Sequence, residues 1–232
     1  LAIETATPVS GVALIKSGRV LAEINVQTGN THSERLMPQI KNLFDLGDVP
    51  PNELEAVAVS IGPGSFTGLR IGLTTAKTLA YAWKKPIVGV PTLEALAYGC
   101  PSGIGWVSPL LDAQKGRVYQ ALYQWHEGGL AEIWPVRIVP ASQAFQELAE
   151  LPEPVMVCGE SVREYAGLAG ESCGKVVLAP EPAVMPRAAC VGFLGLAKFQ
   201  AGLAVDAAEL NPLYVRRAEA EELWEKRSGS RP

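Results

Sequence analysis

Apolar and polar positions follow two periods along the chain. Alternating or short apolar runs predict strands at 1–6, 10–16 and 19–27, with Ser17-Gly18 turning between the last two. The period then changes. From Ser33 to Leu46, the residues Leu36, Ile40, Leu43 and Phe44 recur at i, i+4, i+7 and i+8, one face of a helix, with Pro38 in its first turn or at a kink. Ala56 to Ile61 reads as a buried strand, 67–83 as a helix and 86–90 as a short strand, and a third helix starts near Thr92.

The second half repeats this order. Strands are predicted at 105–112, 116–125 and 130–138, a helix at 141–150 and a strand at 154–158. A short helix at 161–168, a strand at 175–178 and a helix at 187–201 complete it. Both halves therefore read βββαβαβα. Strands joined by short turns form an antiparallel meander, whereas strands joined through helices run parallel. The expected architecture is α/β, with two subdomains, 1–104 and 105–232. Each carries a mixed five-stranded sheet, and a cleft lies between them.

Composition narrows the function. The 232 residues are 48% hydrophobic and 19% charged, which excludes intrinsic disorder. No apolar run reaches the ~18–20 residues of a membrane span, and the first residues lack the pattern of a signal peptide. A soluble, cytoplasmic protein is expected, its N-terminus slightly trimmed because no Met begins it. Net charge is −4, with 8 basic and 8 acidic residues in 1–104 and 12 and 16 in 105–232. Neither half is a basic domain that would bind nucleic acid through bulk charge. Cys100, Cys158, Cys173 and Cys190 form no C-x-x-C and read as reduced, buried thiols.

The most specific motif is the glycine-rich run Gly62-Pro63-Gly64-Ser65-Phe66-Thr67-Gly68-Leu69-Arg70-Ile71-Gly72. A strand enters it and a helix leaves it, a geometry that presents backbone N–H groups to an anion. It matches neither the phosphate-loop nor the dinucleotide pattern. The alternative favoured from the residues alone is that Gly62 and Gly64 permit a turn, while Gly68 and Gly72 allow close helix packing. On the helix that follows, Leu69, Leu73, Ala76, Ala80 and Trp83 form one stripe. Ile71, Leu79 and Ala82 lie off it, so a second neighbour is required, either the helix at 33–46 or another chain.

Other candidate chemistry is sparse. Glu4 in the first hairpin and Asp112 in the corresponding turn of the second half would be the metal-side carboxylates of a small-molecule kinase or ATPase working in the cleft. The first turn has no glycine, and Pro8 removes a donor from it. His32 and His126 are 94 residues apart, which argues against a zinc peptidase. His32 reads as part of a helix start capped by Thr31 or Ser33. The tail 216–227 mixes charges at helical spacing around Leu223 and Trp224, a solvated helix end with a hint of a docking contact.

The segments Ile3-Glu4-Thr5-Ala6-Thr7, Thr31 to Pro38, Gly62 to Gly72, Leu111-Asp112-Ala113, Arg117-Val118-Tyr119 and Pro212 to Arg216 together resemble the bacterial TsaB (YeaZ) family. The element order is that of the actin-like, or ASKHA, superfamily. Position 114 is Gln where the family usually has Arg, and position 117 is Arg where an acid is common. The resemblance implies a non-catalytic subunit of the machinery that adds threonylcarbamoyl to the tRNA adenosine beside the anticodon. Implied partners are the catalytic paralogue TsaD and the ATPase TsaE, with tRNA contacted through the complex; TsaC-type enzymes make the donor. TsaD holds its metal with H-x-x-x-H, and Thr92 and Leu96 occupy the matching positions here, so neither metal nor cofactor is expected. The expected partner surface, also used for homodimerisation without TsaD, is Leu36, Ile40, Leu43, Phe44, Arg70, Ile71, Leu73 and Lys77. Gly62, Gly64, Ser65, Thr67 and Gly68 form the glycine loop beside it.

Overall fold

A computed structural model describes residues 1–27, 32–103, 105–170 and 174–215. The first sheet has the order β3-β2-β1-β4-β5, from β1 (Ala2–Glu4), β2 (Val9–Lys16), β3 (Arg19–Gln27), β4 (Val57–Gly62) and β5 (Ile87–Pro91). β2 is antiparallel to both β1 and β3, while β1, β4 and β5 run parallel. The second sheet has the order β10-β9-β6-β7-β8, from β6 (Trp106–Asp112), β7 (Arg117–His126), β8 (Gly129–Pro140), β9 (Val155–Cys158) and β10 (Val176–Leu178). The two mixed five-stranded sheets match the expected α/β architecture.

Alternation along the central strands sorts large from small side chains. Ile3, Val12, Val57 and Val59 point to one face, where they pack with Leu36, Ile40 and Leu43 of α1 (His32–Gly47) and Leu73, Ala76 and Ala80 of α2 (Phe66–Trp83). Ala2, Ala13 and Ala58 point to the other face. There α7 (Ala188–Gln200) lies close to the sheet. A Cβ at Gly195 would stand 2.4 Å from that of Ala58, and one at Gly192 would stand 2.4 Å from Ile15. Small residues on both partners let a helix backbone approach a sheet this closely.

The position of α7 differs from the order read in the sequence, where it closes the second half. It belongs by packing to the first sheet. Its N-terminus meets β3: the Glu23 carboxylate accepts from the Ala189 N–H (2.9 Å) and pairs with Arg187, and Asn25 Oδ1 accepts from the Ala188 N–H (3.3 Å). An acid and an amide from another element thus serve as the cap that Arg187 cannot provide. The helix α3 (Thr92–Tyr98) sits between the sheets. Leu93 and Leu96 pack with Val107, Leu111 and Tyr123 of the second sheet, and Ala95 packs with α7. Glu94 pairs with Lys198 across that contact (3.1 Å).

Other differences are local. Pro38 lies inside α1 beyond its first turn, and Ser33 is an exposed residue of the helix and not its cap. The segment predicted as one helix at 161–168 is two short ones, α5 (Ser161–Glu164) and α6 (Ala166–Gly170), because Tyr165 leaves helical geometry (φ −105°, ψ 17°). The helix α4 (Ala141–Ala149) covers the second sheet through Ala144, Phe145 and Leu148. Thr31, Cys173 and the tail 216–227 lie outside the described residues.

Candidate functional site

The glycine-rich segment is a packing junction. Here α2 starts against the β1–β2 turn: the Ser65 N–H donates to the Ala6 carbonyl (2.7 Å), and the Thr5 hydroxyl donates to the Gly68 carbonyl (2.8 Å). A Cβ at Gly68 would stand 2.0 Å from the Thr5 carbonyl oxygen, one at Gly72 would stand 2.1 Å from Thr5 Oγ1, and one at Gly64 would stand 2.3 Å from the Ala6 carbonyl oxygen. Ser65 caps the helix by accepting from the Gly68 N–H (3.2 Å). Two donors of the loop are therefore engaged inside the chain. Gly62 (φ +113°) makes the turn, with the Leu213 carbonyl beside it. Of the loop residues, Ser65 and Thr67 reach solvent.

Two polar residues support this junction from within. Glu4 is completely buried; its carboxylate accepts from the Ala6 N–H (2.6 Å) and from the Ser60 hydroxyl. Loss of solvation raises its pKa to about 7 against the opposing effect of those bonds. His32 Nε2 donates to the Thr7 carbonyl (3.1 Å), and burial lowers the pKa of the ring, so a neutral imidazole clasps the start of α1 to the same turn.

An open cleft of about 860 Å³ separates the halves. Thr7, Pro8, Gly64, Ser65 and Phe66 line one wall, and Asp112, Tyr119, Glu160, Ser161 and Met185 line the other. Asp112 takes the expected place, and its Oδ1 accepts from the Gln114 N–H (2.7 Å) in a tight turn where Gln114, Lys115 and Gly116 all have positive φ. Glu4 does not join it. The expected pair of metal-side carboxylates is thus corrected: one lines the cleft, and the other is sealed behind the glycine junction by its own hydrogen bonds.

The partner surface expected from the sequence also divides. Leu36 (1% exposed), Ile40, Leu43 and Leu73 (7%) are core residues and offer nothing to a partner. Of the residues off the α2 stripe, Ile71 and Leu79 are half-buried against the first core while Ala82 stays exposed; α1 of the same chain meets α2 where Phe44 packs edge-on against Trp83 (5.8 Å between ring centroids). Arg70 and Lys77 hold the chain's own return. The Lys77 ammonium donates to the carbonyls of Leu210 (2.9 Å) and Ala208 (3.3 Å); the Arg70 guanidinium lies over Phe66 (3.8 Å) and donates to Tyr214 (3.4 Å). This strap continues with the Leu213 N–H bonded to the Ile61 carbonyl (2.7 Å), and Leu213 and Tyr214 reach the cleft. The exposed apolar side chains on these helices are others, Met37 and Leu46 of α1 and Tyr81 of α2. Sequence periodicity passes over them because they fall off the apolar stripe.

Thr92 and Leu96, which the family resemblance sets against the H-x-x-x-H of TsaD, are both fully buried. Thr92 Oγ1 has no hydrogen-bond partner, and the Leu96 side chain, which has no donor atom, fills the core of the second sheet. These residues do not fit a metal ion.

Two α/β halves with mixed five-stranded sheets around a cleft define an actin-like protein of the ASKHA class. The family model for TsaD, tRNA N6-adenosine threonylcarbamoyltransferase, matches residues 24–224. The tRNA threonylcarbamoyladenosine biosynthesis protein TsaB of Bacillus subtilis is 36% identical over 225 residues, 97% of this chain and 96% of its own. TsaB of Escherichia coli is 30% identical over 232 residues, covering 99% and 98%. YeaZ from Pseudomonas aeruginosa superposes with a TM-score of 0.78 at 25% identity, over 92% of this chain and 98% of that structure. The chain belongs to the TsaB/YeaZ family. No described helix is long and apolar enough to cross a membrane.

Proposed function

We infer that this chain works in tRNA threonylcarbamoyladenosine biosynthesis as a non-catalytic subunit that binds the catalytic paralogue TsaD, and with it TsaE. The observation that carries the reading is the burial of Thr92 and Leu96: where TsaD has its metal ligands, this chain has a hydroxyl enclosed in the core and an aliphatic side chain. The names of the full-length relatives support the pathway. Exposed apolar side chains on the two helices support the binding role: Met37 (50% exposed), Leu46 (70%) and Tyr81 (82%). These residues, with the half-buried Phe44 and Ile71, replace the buried leucines as the proposed contact. The same two helices pair two copies of the chain when TsaD is absent, since an isologous dimer covers exposed apolar surface with its duplicate.

Reconstitution tests this. tRNA threonylcarbamoylation is measured with TsaD, TsaE and the donor-forming enzyme, with and without this chain. Modification that requires the chain, together with none from the chain and donor alone, is the expected result. Equal modification without it overturns the reading.

A further inference from the structure

The strap is held at both walls of the cleft. Its anchor in the first half is tight. The Leu213 N–H bonds to the Ile61 carbonyl at the end of β4 (2.7 Å), and a Cβ at Gly62 would stand 2.8 Å from the Leu213 carbonyl oxygen. The Tyr214 ring packs on Phe66 at the start of α2 (5.2 Å between ring centroids). Two residues beyond Leu213 the chain is in contact with the other half: Val215 is half-buried and packs against the second core, where Ala113, Tyr119, Met156 and Cys158 meet Leu93 and Leu96 of α3. Leu213, Tyr214 and Val215 all line the cleft. The halves are also joined through α3 and its contact with α7, but no residue of either helix lines the cleft. The strap is therefore a second tie, set apart from the first.

We propose that Leu213, Tyr214 and Val215 form a latch that holds the two halves against opening of the cleft. A two-lobed protein opens by rotation about a hinge, and a tie placed away from the hinge opposes that rotation. The reach of the chain sets the limit: the two steps from Leu213 to Val215 span at most about 7 Å when fully extended. The walls cannot swing apart there without breaking the Leu213–Ile61 bond or drawing Val215 out of the second core. The Leu213 side chain itself is 37% exposed, so the first anchor lies in its backbone. The latch acts within one chain and requires no partner.

The distance between two nitroxide labels, measured by electron paramagnetic resonance on the full chain, tests this. Thr78→Cys on α2 and Gln146→Cys on α4 put one label at an exposed helical position of each half, with Cys173→Ser in the background; Cys100, Cys158 and Cys190 are buried. One narrow distance distribution is expected in this background. It should be at least twofold wider, with a longer mean, in V215S, which frees the second-half end, and in L213P, which removes the donor of the first-half anchor. Leu213→Ala keeps that N–H and should leave the distribution unchanged. V215S with an unchanged melting curve is the deciding variant, and L213P takes its place if V215S does not fold. A distribution as narrow in the deciding variant as in the background overturns the proposal. So does a broad distribution in the background itself, or equal broadening in L213A.

Discussion

The Thr5 hydroxyl donates to the carbonyl of Gly68, 63 residues along the chain, at 2.8 Å, and Gly68 has no room for a side chain beneath it. This contact fixes the start of α2 on the end of β1, and with it the relation between the glycine loop, the cleft and the outward face of α2.

Replacing Gly68 by Ala forces the helix off the Thr5 backbone, which cannot yield as a flexible side chain would. The expected loss is about 1–3 kcal/mol, read as a lower melting temperature. Gly167→Ala in α6, where a Cβ meets nothing within 4 Å, is the control and should leave the melt unchanged or slightly raised.

Glu4 makes stability depend on pH in a direction opposite to most carboxylates. Its pKa is about 7 in the fold and 4.5 as an ordinary carboxyl, so between those values the native state holds a proton that the unfolded chain has released. The stabilisation is complete below pH 4.5, falls as pH rises to about 7, and stays lost above it, by roughly 3 kcal/mol at most. Glu4→Gln retains an acceptor for the Ala6 N–H. The stability difference between E4Q and wild type, followed by denaturant titration, should grow in favour of E4Q from pH 5 to 7.5; a constant difference contradicts the assignment.

Leu36 and Tyr81 separate core from surface on neighbouring helices. Leu36→Asp places a charge in the first core and should cost more than about 3 kcal/mol, with loss of the helical circular dichroism signal. Tyr81→Asp should melt within about 2 °C of wild type yet weaken association with TsaD at least tenfold. An unfolded Y81D, or a folded L36D, runs against the arrangement described.

Lys77 is the main polar tie between α2 and the returning strap. Lys77→Met removes both of its bonds to the strap carbonyls while keeping the aliphatic stem. Limited proteolysis should then cut within 203–215 several times faster, with the global melt little changed. Unaltered cleavage means that the Val205–Ile87 bridge and the Leu213–Ile61 bond hold the strap without it.

Most elements were legible in the sequence because their causes are local. Short apolar runs marked β2 and β4, the spacing of Leu36, Ile40 and Leu43 marked α1, and the double βββαβαβα order implied two mixed sheets. The glycines of the 62–72 segment also declared a close approach, as did the departure from phosphate-binding patterns. What they approach, the backbone of Thr5 and Ala6, depends on residues some 60 positions away.

Tertiary structure alone decided the rest. A helical stripe states that a face is buried, but the same stripe serves against a sheet of the chain or against a partner; only packing showed that Leu36, Ile40, Leu43 and Leu73 meet their own sheet. Chain order placed α7 with the second half, whereas the alanines of β1, β2 and β4 and the glycines of α7 place it on the first. Arg70 and Lys77 looked free for a partner until the strap folded back on them. Glu4 and Asp112 occupy corresponding turns in the sequence, yet burial and hydrogen bonding separate a sealed carboxyl from one that lines the cleft. Periodicity records which side of an element avoids water, and the identity of its neighbour is a non-local property that only the assembled fold fixes.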